Sequence, residues 1–236
     1  FGTDLKARID AVRELQDRYS AQTPLDKTRI VDALLAAAED NDHGFRHFAV
    51  LGLGQVAEQS DGYTADRLAR ELGQKIEDRR IRTVFTENGE RADLLSAYAR
   101  TGGRARIVEG RHADQFLDGV RDEVRETDSR GRTLAFRALN MFLNRAAGVI
   151  YTDRRETFGR VARDLIFMAS DAELNARAEY AKAMVFLIAR RTTVLIDDPA
   201  LRQKLFERLE EMYNVEPDPS LKFFIGIHLG RRSLVR

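Results

Sequence analysis

Apolar residues recur along this chain at intervals of three and four, the spacing that lines one face of an α-helix. Six stretches carry the pattern clearly: 4–19, 28–38, 65–81, 113–126, 156–169 and 200–213. Shorter helices are expected between them, and the alternation of a strand is nearly absent. Pro24, Pro199, Pro217 and Pro219 stand where a helix must start or stop, because proline lacks the amide proton and clashes with the preceding turn. The pattern predicts an all-α protein.

The shorter helices are related to one another. Residues 42–54 and 218–230 match by type: an Asp at the cap, an apolar residue three places on, a basic residue next, then small or branched apolar residues and a closing Leu-Gly. Further copies begin at Asp128, with Arg132, Ala135, Ala138 and Leu139 in register, and at Asp171, with Leu174, Ala178 and Ala181. A weaker copy, 87–100, fills the remaining slot. The starts fall at multiples of about 43 residues, a period long enough for two helices. One helical hairpin cannot bury both of its apolar faces, so hairpins of this kind stack into a solenoid.

The segment from Asp40 to Gly54 resembles the turn and second helix of a HEAT repeat, and the resemblance extends over residues 25–234. It departs from the pattern at Glu90, where an apolar residue is expected, and at Asn175, which replaces the basic residue. The resemblance implies a right-handed α-solenoid of about five two-helix repeats. The expected layout is a single domain, 1–236, with 1–24 as an N-terminal capping helix and 25–236 as repeats. It also implies that the second helices line a concave surface, and it carries a binding habit without one activity.

Composition narrows the chemistry. Hydrophobic residues are 43% and charged residues 33%, interleaved as in a folded protein. The net charge of +1 supplies no global field toward nucleic acid or membrane. With no cysteine there is no disulfide or thiolate nucleophile. No apolar run reaches the ~20 residues of a membrane span, no signal-peptide pattern opens the chain, and a cytoplasmic location is the default expectation. The start at Phe1 without a methionine reads as a trimmed or processed end. Six lysines against 33 arginines suit bidentate anion contacts, though a GC-rich genome produces the same bias.

Candidate sites for chemistry are few. His43 and His47 have the i, i+4 spacing of a metal pair beside Asp40 and Asp42, but at the start of a surface helix two solvated histidines are expected. The run Gly52-Leu53-Gly54 has no strand before it and falls in mid-helix, which removes a dinucleotide-binding reading. No metal, cofactor or catalytic residue is assigned.

Charge divides unevenly between the two helix sets. The second helices are basic, the first neutral to acidic, so the expected partner surface is Arg91, Arg137, Arg177, Lys182, Arg190 and Arg191. The resemblance assigns Arg46, Arg132 and Lys222 to a structural ladder with the turn residues Asp42, Asp128 and Asp218. The glycine-containing loop from Arg100 to Arg111 offers Arg100, Arg104, Arg106 and Arg111 as further contacts. These features predict a non-catalytic scaffold holding an acidic protein segment. The alternative is a nucleic-acid binder similar to the HEAT-like DNA glycosylases, which need groove aromatics; this chain has no Trp, and its Tyr and Phe fall mostly at core positions. Oligomeric state is left open.

Overall fold

The computed structural model describes residues 4–78, 90–102, 111–146, 154–168, 173–189, 196 and 198–230. Eleven α-helices lie among them: α1 (Leu5–Arg18), α2 (Pro24–Ala37), α3 (His43–Gln59), α4 (Gly62–Glu77), α5 (Glu90–Thr101), α6 (Arg111–Glu126), α7 (Ser129–Ala146), α8 (Arg154–Phe167), α9 (Leu174–Ala189), α10 (Pro199–Val215) and α11 (Pro219–His228). A short 3₁₀ turn, Tyr19–Ala21, follows α1. Among the described residues the order is one leading helix followed by five pairs of helices.

The helices start where the side chains dictate. Three of the prolines open α2, α10 and α11, where a missing amide proton costs nothing. The cap aspartates of the repeat motif behave alike: Asp42, Asp128 and Asp218 accept the amides of Phe45, Gly131 and Leu221 at 2.9, 2.9 and 2.8 Å. The sequence repeat is therefore a repeat of capping geometry. The expected starts at 87 and Asp171 lie outside the described residues.

The chain divides into two compact units, residues 1–119 and 120–236. In the first, α3 packs against α1, α2, α4 and α5, and α4 packs against α5. Leu34, Leu53, Leu68, Leu72 and Leu95 are fully buried there, and Tyr98 stacks on Phe116 with ring centroids 4.8 Å apart. Gly52 of α3 lies against the buried Gln16 side chain, where any Cβ would collide with it. In the second unit α9 is the central helix, covered by α7, α8, α10 and α11. Phe136 and Tyr180 meet in its core at 5.3 Å, beside buried Leu165, Leu205 and Leu209.

Candidate partner-binding face

Polar contacts between successive repeats recur at nearly the repeat period. Along the first helices, Arg67 bonds Asp32, Gln115 bonds Glu77 and Arg121 bonds Asp164, at separations of 35, 38 and 43 residues. Along the second helices, His47 Nδ1 lies 2.6 Å from Asp93 Oδ2, 46 residues on, and Asn140 donates to the carbonyl and carboxylate of Glu179 at 2.9 Å, 39 residues on. Lys75 reaches Glu39, and burial pushes its ammonium below the ordinary value. Stacked hairpins place equivalent positions side by side, so one period in sequence becomes one contact in space.

Two of these contacts share a design. Arg8 of α1 bonds Asp40, and Asp40 accepts the amide of Asp42 at 2.8 Å. Arg177 of α9 bonds Glu216, and Glu216 accepts the amide of Asp218 at 3.0 Å. In each, an arginine from two helices back grips an acid two residues before a cap aspartate. The bond from Arg8, joined by the Asp42 amide, holds the Asp40 carboxyl below the usual carboxylate range. α1 thus plays the part of a preceding second helix.

Several expected site residues are buried or engaged by neighbouring groups. Arg91 is only 1% exposed; it stands 86 residues, two periods, before Arg177, at a position the fold buries. Arg177 has a side chain 12% exposed against a Glu216 side chain that is 1% exposed. Neither belongs to an open face. Arg46 donates to the carbonyls of Asp40 and Asn41 at 2.8 and 2.9 Å, Arg132 to the carbonyl of Thr127, and Lys222 lies over the Tyr213 ring. These contacts to turn carbonyls and a ring face are ones that spacing alone does not reveal. Arg100 pairs with Glu58 at 3.2 Å. Arg104, Arg106, Arg190 and Arg191 lie outside the described residues, and Arg111 is known only as the first residue of α6.

What remains is a compact cluster on α7 and α9. Arg137 and Lys182 have side chains 54% and 52% exposed, and both approach the same carboxylate oxygen, Oε1 of Glu179, at 3.5 and 3.0 Å. Asn140 holds the other oxygen. Two cations share one anion, and the excess positive charge faces solvent. Sequence reasoning missed Glu179 and Asn140 as its organisers; their 39-residue separation was the available signal.

No family model and no curated protein matches the sequence. Solved structures do match the fold. A designed armadillo repeat protein aligns with 98% of this chain and 96% of its own, at 13% identity and a TM-score of 0.62. An engineered protein solved as a structural-genomics target covers 98% and 92%, at 15% identity and 0.59. Computationally designed armadillo repeat proteins for modular peptide recognition cover 94% and 92%, at 13% and 0.58. The fold is an all-α solenoid of the armadillo and HEAT type. In such a solenoid the α7–α9 cluster lies on successive second helices. No helix among the described residues is long and apolar enough to cross a membrane.

Proposed function

We propose that this solenoid is a non-catalytic binding module that engages an acidic protein segment through its second helices, the face that the HEAT-like resemblance makes concave. The observation that carries the reading is the sharing of Glu179 by Arg137 and Lys182. A carboxylate from a partner can take either cation, while Glu179 keeps the other and stays bonded to Asn140. The structural neighbours designed for modular peptide recognition support a peptide as the partner. Surface cations of this kind set association rate and specificity more than total affinity.

Fluorescence anisotropy with a labelled Glu-rich peptide tests the reading, using Arg137→Glu with Lys182→Glu as the comparison. Binding by the intact protein that weakens about tenfold or more in the variant, on the order of 1.4 kcal/mol, supports it. Equal binding by both proteins, or none by either, overturns it. Labelled duplex DNA in a salt series forms the second arm. DNA binding whose affinity falls by about 0.9 log units per phosphate contact for each log unit of salt, without peptide binding, would replace the acidic segment by nucleic acid.

A further inference from the structure

Glu179, the carboxylate shared by Arg137 and Lys182, is largely withdrawn from water. Its side chain is 13% exposed, so its charge is screened less than that of a surface acid. Asn140 of α7 fixes it by donating to its backbone carbonyl and to Oε2, both at 2.9 Å. Asp93 of α5 stands 86 residues earlier, two periods, and meets His47 of α3 at 2.6 Å. In both units an acid at this register meets a polar side chain from the preceding second helix. Stacking alone does not require the charge, because a neutral glutamine oxygen could accept the same bond from Asn140. The negative charge at 179 therefore acts on Arg137, on Lys182 and on any anion that approaches them. Arg137 meets Glu179 only through Nε, at 3.5 Å. Among the described residues its Nη groups make no hydrogen bond, which leaves a planar fork for an incoming anion.

Resting on the reading that this cluster takes an acidic segment, we infer that Glu179 is its specificity-determining residue, disfavouring doubly charged phosphoryl groups relative to carboxylates. The three side chains sum to one positive charge. Glu179 repels an incoming carboxylate once, and repels a phosphoserine, with its charge of about −1.5 to −2 at pH 7, nearly twice as strongly. At about 6 Å in a water-like dielectric, each further negative charge on the ligand weakens binding about threefold through this repulsion. The two cations alone would favour the phosphoryl group; Glu179 takes away a large part of that advantage. The partner segments that suit the cluster are therefore rich in glutamate and aspartate rather than phosphorylated.

Fluorescence anisotropy at fixed salt tests this, with labelled peptides that alternate glycine with glutamate or with phosphoserine, so that every register presents the same charge. Glu179→Gln keeps an acceptor for Asn140 and removes the charge. The ratio of phosphoserine to glutamate affinity at pH 7 should rise about threefold or more in the variant. At pH 5, below the second phosphate pKa of about 6, both groups carry close to one charge and the rise should largely vanish, a change that lost packing would not produce. Circular dichroism verifies that the variant is folded. If it is not, Met141→Glu, which adds a carboxylate one turn from Arg137 on α7, should instead lower the ratio at pH 7. Peptide binding with an unchanged ratio in a folded variant, or a rise that persists in full at pH 5, overturns the inference and leaves the proposed function standing. No binding of either peptide by the intact protein or the variant overturns both.

Discussion

Arg177 grips Glu216 with two prongs, Nε to Oε2 at 2.8 Å and Nη2 to Oε1 at 2.9 Å, joining α9 to the turn before α11. The pair is largely out of water, so removing one partner leaves an uncompensated charge. Arg177→Met should lower the unfolding free energy by about 3 kcal/mol. The double change with Glu216→Leu should recover part of the loss. Urea denaturation of the three proteins measures it, and a loss below about 0.5 kcal/mol in the single variant would show the pair to be an ordinary surface contact.

Acid should loosen the other copy of this arrangement. Asp40 in the folded protein titrates below its ordinary value of 3.8, so the unfolded chain takes up the proton more readily. Stability from Asp40 is thus present above that value and is lost as pH falls through the lower folded value. Arg8→Ala removes the largest cause of the shift. The urea midpoint of the variant should depend less steeply on pH between about 4 and 2 than that of the intact protein.

Close packing makes one glycine indispensable and another replaceable. A Cβ at Gly119 would stand 2.4 Å from Ile76 Cγ2 and 3.0 Å from Leu95 Cδ2. Gly119→Ala should therefore destabilise by about 1–2 kcal/mol despite alanine's better helix propensity. At Gly159 the nearest atom among the described residues is Arg163 Nη1 at 3.8 Å, and Gly159→Ala should stabilise by about 0.5–1 kcal/mol. Thermal melts of the two variants should move in opposite directions.

The cap aspartates provide a test of the repeat itself. Asp42, Asp128 and Asp218 make the same bond at nearly the same length, so each change to alanine should cost about 1 kcal/mol. Costs differing by more than about threefold would show that similar capping geometry does not confer similar energetics.

The helices and their repetition were legible because both rest on local rules. Apolar spacing, prolines and cap aspartates act within one or two turns, and a 43-residue period needs only comparison of the chain with itself. The predicted stretch 113–126 lies within α6, and 200–213 within α10. The cluster on α7 and α9 was only half legible. Arg137 and Lys182 were chosen because they are basic residues on second helices, yet the same rule chose Arg91 and Arg177.

Composition and periodicity by themselves determined that this chain is an all-helical stack of hairpins, because each hairpin must bury an apolar face that only a neighbour can cover. Tertiary structure alone decided which charges remain available. Whether an arginine meets water, a carboxylate or a turn carbonyl depends on the side chain that the next repeat places opposite it. That partner is about 40 residues away in sequence, and its orientation is set by how the helices pack.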